Sequence, residues 1–355
     1  MDMIEDKKIR IRLPFREQYT LSIVSEVNAV DSVITSTVEI RYDFQVIEVK
    51  ENDLEVRLLL LESKVVKTNN PMVKEVAQVS QVLGRMYNEL HLILSHTGKI
   101  LEVLNTDLIL SKWEDTKSEM KKHISGNQDM QNVISLHDNL FNSPEKVKTA
   151  AQANEFFAVF FGHIYDADLP FTKKIVGTNV FNTANLEWNI VCEPTIPLPA
   201  KDLQTVVVST KASPQLPLSD GFCNAAYHQF ADKIKISPMN IRMSQEELRH
   251  IDYETGRIKK SSIIKSEVVY PDKLYHKISF SLLSDAEKKL VQEKKQEERK
   301  QLFVDEEPKK EEQRPEIYRV VDGKEFTYEE WKLYEAQQWE IYQEKKKNKK
   351  GFLGL

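Results

Sequence analysis

Polar and apolar residues alternate without a break from Thr37 to Val46, in the stretch TVEIRYDFQV. A period of two predicts a β-strand with one face on a core and the other in water, which is typical of antiparallel sheets. The strand-like stretches YTLSIVSEV and LEVRLLLLES lie on either side of it, so we expect a meander with a turn at Asn52-Asp53. The apolar positions predicted to share one buried face are Val38, Ile40, Tyr42, Phe44 and Val46.

Two later stretches share one turn motif. SHTGKILEVLN and HIDYETGRIKK each place Thr-Gly, a basic residue and an isoleucine between strand-like runs. Glycine adopts a positive φ without steric cost, so Gly98 and Gly256 are predicted to lie in hairpin turns. In both parts of the chain, strands lead to an amphipathic helix and then to such a hairpin, which makes two related halves one possibility.

Helical periodicity occupies the middle of the chain. Asn70-Pro71 supplies a cap and a first-turn proline for one helix, and apolar residues recur at helical steps over residues 106–123. A second helical stretch is predicted near Asn127. A third is predicted to begin at Ser143 and to continue through the apolar run NEFFAVFFGHI. Strands resume after Pro170, with one helix at SDGFCNAAYHQFADKI and a final strand at YHKISFSL.

Together these elements predict an α+β fold, in which helices pack against a curved antiparallel sheet or sheets. The body is expected to span residues 1–284. Its possible halves are residues 9–125 and 170–284, with helices at 127–165 between them.

The stretches TVEIRYDFQV, YETGRI and YHKISFSL together resemble half-barrel carriers of the lipoprotein-localisation-factor type, over about Tyr19 to Leu283. Those proteins have a curved antiparallel sheet that holds helices in its concave face. The resemblance implies this fold and assigns no role to individual residues. Members of that group are exported, whereas charged residues interrupt any apolar run near this N-terminus, so we expect no signal peptide and a cytoplasmic protein.

Charge separates the body from a tail. Within residues 285–315, 19 of 31 residues are charged, 10 acidic and 9 basic, which predicts a solvated spacer. Residues 316–355 contain a capping box, Thr327-x-x-Glu330, ahead of an aromatic helical stripe. Tyrosine and tryptophan are enriched where one protein anchors on another, so this tail is predicted either to bind a protein partner or to fold back on the body. The candidate partner-binding residues are Tyr328, Trp331, Tyr334, Trp339, Tyr342, Lys345, Lys346, Lys347, Phe352 and Leu353.

Signals of catalysis are sparse. A net charge of −5 and only 10 glycines disfavour a general nucleic-acid binder and a Gly-rich nucleotide site. The sequence contains no P-loop, no G-x-G-x-x-G, no H-E-x-x-H and no G-x-S-x-G. His163, Asp166 and Asp168 carry metal-ligating groups, but their spacing matches no known pattern, and a polar loop after a helix is the better interpretation. We therefore expect no catalytic residue, no metal site and no cofactor.

The sequence favours a non-enzymatic adaptor or structural component of a cytoplasmic assembly, which binds a partner through residues 316–355. Two alternatives stay open: a carrier that holds an apolar ligand between sheet and helices, and an enzyme whose site has no recognisable motif. The lysine-rich end, KKKNKK, is expected to make no more than a weak contact with an anionic membrane surface. Cys192 and Cys223 have no CxxC neighbour and fit a reducing compartment.

Overall fold

The chain divides into two compact units, Met1–Val291 and Gln292–Leu355. Within the described part of the chain, no helix is both long enough and apolar enough to cross a membrane. The computed structural model describes residues 8–123, 128–141, 143–196, 198, 204–294 and 318–351.

The first unit is built on one antiparallel sheet of 11 strands, which is curved and not closed. Helices pack against this sheet, so the predicted α+β fold is confirmed. The strands are β1 Phe15–Ala29, β2 Val33–Val49, β3 Asp53–Thr68, β4 Glu89–Ser95, β5 Ile100–Val103, β6 Phe171–Thr178, β7 Asn185–Pro194, β8 Thr205–Pro214, β9 Arg242–Asp252, β10 Ile258–Tyr270 and β11 Leu274–Ser284.

The strands form two meanders that meet in the middle of the sheet. β1 to β5 run in chain order out to one edge, and β6 to β11 run in chain order from the other edge inward. The meanders meet where β1 pairs with β11, so that Tyr19 lies opposite Ser284 and Ala29 opposite Leu274. One hydrogen-bonded sheet therefore contains both the first and the last strand of this unit.

The alternating stretch from Thr37 to Val46 lies within β2, but its burial is uneven. Tyr42, Phe44 and Val46 are buried, as predicted. Val38 and Ile40 are only half-buried, because this end of the strand lines an open cleft at the edge of the packed core. The face that carries Tyr42 and Phe44 is called the inner face below.

Most predicted helices begin where their capping signals lie. Asn70 Oδ1 accepts a hydrogen bond from the Met72 amide (3.0 Å), and Ser219 Oγ accepts one from the Phe222 amide (3.0 Å). The described helices of the first unit include α1 Pro71–Gly84, α2 Thr106–His123, α3 Gln128–Phe141, α4 Pro144–Gln152, α5 Glu155–Phe160 and α6 Asp220–Tyr227, with short 3-10 turns at Arg85–Tyr87, His228–Phe230 and Pro238–Asn240.

The prediction of one continuous helix from Ser143 through NEFFAVFFGHI is wrong. The Ala153 amide bonds back into α4, and Asn154 leaves the helical conformation. The Asn154 side chain then caps a new helix by accepting from the Phe156 amide (2.9 Å). This break lets α5 place Phe156 and Phe160 against Phe44, with ring centroids 5.1 and 5.0 Å away.

Gly98 and Gly256 lie in hairpin turns with φ of +83° and +73°, as predicted. Both turns are also pressed against another segment. A Cβ atom on Gly98 would lie 2.2 Å from Phe161 Cγ, and one on Gly256 would lie 1.8 Å from the carbonyl oxygen of Arg10. The repeated glycine therefore serves close packing as well as turn geometry.

The second unit contains a small ββα arrangement. It consists of β12 Arg319–Val321, β13 Lys324–Phe326 and a C-terminal helix, Tyr328–Gly351. Asp322 and Gly323 both have positive φ (+50° and +77°), the geometry of a two-residue hairpin turn.

The predicted capping box opens the C-terminal helix. Thr327 N donates to Glu330 Oε2 (3.0 Å), and Glu330 N donates to Thr327 Oγ1 (3.4 Å). Of the predicted spacer, residues 285–294 are helical, and the rest lies outside the described residues.

Candidate functional site

The inner face of the sheet carries two separate apolar clusters. The larger one includes side chains of α4 and α5, and the smaller one includes side chains of α6. Polar side chains on the intervening part of the sheet form what we call the polar belt. Its members are Ser25, Gln245, Glu247, Arg249, Lys265, Glu267 and His276.

The polar belt follows from the phase of the strands. On β9, Met243 belongs to the smaller cluster and Ile251 to the larger one. Alternation places Gln245, Glu247 and Arg249 between them on the same face, whereas neighbouring Leu248 points outward. The sequence alone does not single out these three polar residues. If Met243 and Ile251 are assumed to face the core, however, the alternation of side chains along the strand places all three on the same inward face.

Glu247 and Arg249 form a buried ion pair, with side chains 4% and 1% exposed. Arg249 also donates to the carbonyl oxygens of Val159 and Ala158, both at 3.2 Å. Burial by itself raises the pKa of Glu247, but the Arg249 guanidinium and further hydrogen bonds hold it below its ordinary value. The pair therefore connects the end of α5 to β9, and its two charges neutralise each other inside the fold.

Glu267 is a second buried carboxylate, and its oxygens are fully engaged. They accept from the backbone amides of Val180 (2.6 Å) and Phe181 (3.2 Å), from Asn179 Nδ2 (2.9 Å) and from the Tyr227 hydroxyl (2.5 Å). Glu267 therefore attaches two elements to β10: the loop between β6 and β7, and helix α6. Burial, followed by the charge of Glu267, raises the pKa of Tyr227, so its hydroxyl stays protonated and can donate.

His276 is held in one neutral form. Its Nδ1 lies 2.9 Å from the carbonyl oxygen of Val180, which can only accept, so Nδ1 carries the proton. Its Nε2 then accepts from Ser25 Oγ at 3.2 Å. Burial lowers the pKa of His276, which favours this neutral form.

Lys265 differs from the other charged members of the belt. It is half-buried, with its ammonium 5.8 Å from the centroid of the Phe280 ring, and burial lowers its pKa. It takes part in no ion pair with any described residue. It lines a small cavity of about 120 Å³ between the β6–β7 loop and the sheet, together with Gln245, His276, Ile278, Phe280, Trp188 and Asn179.

A larger open cleft of about 690 Å³ lies at the other side of β1. Its floor is the inner face of β2 and β3, and its walls are α1 and the residues that join α4 to α5. Apolar or small residues that line it include Val38, Ile40, Leu60, Ala77, Ala150 and Tyr87.

The strand register shows that the cleft and the small cavity lie on the same face. Val38 of the cleft is directly opposite Ile23 on β1, and Ile23 is directly opposite Phe280 of the small cavity. Opposed residues of antiparallel strands have Cβ atoms about 5 Å apart, so about 10 Å separates Val38 from Phe280. Half-buried Ile23 forms the floor between them.

In the second unit, several candidate residues pack on their own hairpin. The ring centroids of Trp331 and Tyr334 lie 5.9 and 5.1 Å from that of Phe326, and the Arg319 guanidinium lies 4.7 Å over Trp331. Tyr328 packs edge-on against Tyr318, at 5.0 Å. These three candidate residues therefore help to build the ββα unit.

The next turns of the helix leave their aromatic residues in solvent. Trp339 and Tyr342 are 63% and 56% exposed, and their rings stack on each other at 5.9 Å. Lys345 is exposed. Lys346 and Lys347 lie on the same helix, whereas Phe352 and Leu353 fall outside the described residues. Partner binding by this set stays a prediction.

The carboxylates considered as metal ligands are used in ion pairs. Asp166 pairs with Arg10 (2.5 Å), and Asp168 with Lys8 (3.9 Å), so both bind the N-terminal segment. Among the described residues, no group of three or more possible ligands is placed to hold a metal ion.

Comparison with known proteins assigns no family. No protein-family model matches the sequence, and no curated protein matches it. One similar solved structure is described as "Lipid-protein interactions in lipovitellin". The match covers 76% of this chain and 25% of that one, at 9% sequence identity and a TM-score of 0.36. The chain thus spans about a quarter of that protein's length, and the match assigns it no ligand or partner.

Proposed function

We propose that this protein binds an elongated apolar ligand on the inner face of its sheet. The observation that carries the proposal is the open cleft of about 690 Å³, whose floor contains the half-buried residues Val38 and Ile40. Pockets for small molecules typically enclose about 300–1,000 Å³ and are lined mainly by apolar side chains.

The phase of β2 supports this proposal. The same alternation that buries Tyr42, Phe44 and Val46 in the core continues to Ile40, which packs at the edge of the larger cluster, and to half-buried Val38, which belongs to neither cluster. When a ligand covers apolar side chains that are partly in water, the free energy falls by about 25 cal/mol per Å² of apolar surface that is buried. An apolar chain lying along these strands would supply that cover.

Titration with Nile red, a neutral apolar dye whose fluorescence rises on leaving water, tests the proposal. Ala77→Trp on α1 should weaken dye binding at least tenfold, because the indole would fill the cleft. The matched control is Gln78→Trp, which adds the same side chain at the next, exposed position of the helix outside the cleft. Equal dye binding by the two variants would exclude the cleft as the site.

A second function, that of an adaptor, is favoured by the exposed pair Trp339 and Tyr342. Two large aromatic side chains stacked in water are a frequent anchor for another protein, and such anchors often contribute about 2 kcal/mol or more each. In this proposal Trp331 and Tyr334 stabilise the ββα unit, and Trp339 and Tyr342 bind the partner.

Affinity purification from the native cell separates these roles. A specific partner should be retained by the full chain and lost with Trp339→Ala and with Tyr342→Ala. Leu333→Ala, at an exposed apolar position of the same helix, is the control and should retain the partner. Neutralising Lys345 should weaken binding less, and in a salt-dependent way. A partner retained equally by all the aromatic variants would contradict this proposal.

A further inference from the structure

We infer that the inner face also holds an anionic head group beside Lys265, so that the ligand is an amphiphile with an apolar chain and a carboxylate or similar anion at one end. This inference rests on the proposed function, because it uses the cleft for the apolar chain. It adds a site for the charged end, in the small cavity lined by Lys265 and Gln245.

The charge of Lys265 is not neutralised by an ion pair within the described chain. A buried cation is usually paired, because transfer of a charge from water into a protein is costly. Lys265 is half-buried above Phe280, and its pKa is lowered by burial, which the charge of Glu247 offsets only in part. An anion in the cavity would supply the missing counter-charge.

The carboxylates near Lys265 already have other partners. Glu247 is ion-paired with Arg249 and accepts from Gln245. Glu267 accepts two backbone amides, an asparagine amide and a tyrosine hydroxyl. Neutral His276 is hydrogen-bonded through both ring nitrogens. Lys265 is thus the charged member of the belt that faces the cavity without an ionic partner among the described residues.

The strand register places Lys265 within reach of a ligand that lies in the cleft. Lys265 is directly opposite Ile278 on β11, and Ile278 is directly opposite Ser25 on β1. The cleft residue Val38 lies on β2, the next strand beyond β1. Three strand spacings of about 4.8 Å therefore separate the strand of Val38 from that of Lys265, about 14 Å in all. A single-chain amphiphile can span this distance across Ile23, with its chain in the cleft and its anion at the ammonium.

Displacement of Nile red by dodecanoate and by dodecanol, below their micelle-forming concentrations, tests this inference. The two compounds share one chain and differ in the charge of the head. We expect dodecanoate to displace the dye from the wild-type protein at a concentration at least tenfold lower than dodecanol. Lys265→Met should abolish this difference by weakening dodecanoate alone. The control is Lys260→Met, which removes the same charge from an exposed position of the same strand and should leave the preference intact.

The outcomes separate the two proposals. If neither compound displaces the dye, or if the dye does not bind, the proposed function fails and this inference fails with it. If both compounds displace the dye equally from the wild-type protein, apolar binding stands and the anion site is overturned. If the preference for dodecanoate survives Lys265→Met, the anion lies elsewhere and the assignment to Lys265 is overturned.

Discussion

The turn at Gly256 is the point where a single added methyl group should do most damage. Gly256 has a φ of +73°, and a Cβ atom there would lie 1.8 Å from the carbonyl oxygen of Arg10. The obstacle is backbone, so no side-chain rotation relieves it. Gly256→Ala should therefore push the N-terminal segment away from the turn, and with it Ile9 and Ile11.

The expected loss has two parts. Left-handed backbone costs an L-residue roughly 1–2 kcal/mol. Ile9 and Ile11 are each 1% exposed. Exposing an isoleucine costs about 1.5–3 kcal/mol, so release of both adds about 3–6 kcal/mol. The contact between the Tyr165 hydroxyl and the Gly256 carbonyl oxygen (2.7 Å) is also at risk. The free energy of unfolding should fall by about 4–8 kcal/mol in total.

Urea unfolding followed by far-ultraviolet circular dichroism measures this loss. Gly84→Ala is the control. Gly84 ends α1 with a helical φ, and a Cβ atom added there would have no heavy atom within 4 Å. This substitution should therefore leave the free energy of unfolding unchanged or raise it by up to about 1 kcal/mol. In a chain that lacks residues 1–12, Gly256→Ala should cost only the backbone strain. A loss of no more than about 2 kcal/mol in the full chain would refute the steric argument.

Four further expectations concern the belt and the ββα unit. Glu267→Ala should lower the free energy of unfolding by roughly 3–5 kcal/mol in urea titrations, because it leaves buried donors without an acceptor; an unchanged midpoint would contradict the assigned network. Lys265→Met should raise the melting temperature at pH 7, since burial disfavours the charged lysine, and a lower melting temperature would argue against this. Burial lowers the pKa of His163 and of His276, so their contribution to stability is complete above about pH 6.5 and is lost as the pH falls below it. The urea midpoint of unfolding should therefore decrease as the pH is lowered from 7 to 5. A midpoint that rises over this range would contradict the assigned direction of the pKa shifts. Trp331→Ala should melt the C-terminal helix while leaving the melting temperature of the first unit unchanged, which separate calorimetric transitions would resolve.

Features that depend only on residues close together in the sequence were predictable from it. The alternation in β2, the cap at Asn70, the capping box at Thr327 and the positive φ of Gly98 and Gly256 each depend on a few adjacent side chains. The dipeptide Asp322-Gly323 is an equally local signal for a two-residue hairpin turn. The break at Asn154 was hidden because the apolar run on either side of it has helical composition.

The candidate site was not predictable in the same way, because its members come from distant parts of the chain. Glu267 meets its donors in the β6–β7 loop and in α6, and Arg249 meets carbonyl groups of α5. Each of these side chains looks like an ordinary surface charge in the sequence. The phase of a single strand can place such a side chain on the inner face, but only the folded structure reveals which groups it meets there.

The pairing of β1 with β11 has a consequence for synthesis on the ribosome. β1 is synthesised before the other strands of the unit, yet one of its two edges has no hydrogen-bonding partner until the last strand, β11, has been made. Until then, the nascent chain presents an open strand edge that can pair with other chains. A sheet completed by contacts between such remote segments should also fold slowly, in milliseconds to seconds rather than microseconds. The nascent first meander is therefore the stage at which we expect this protein to need a chaperone most.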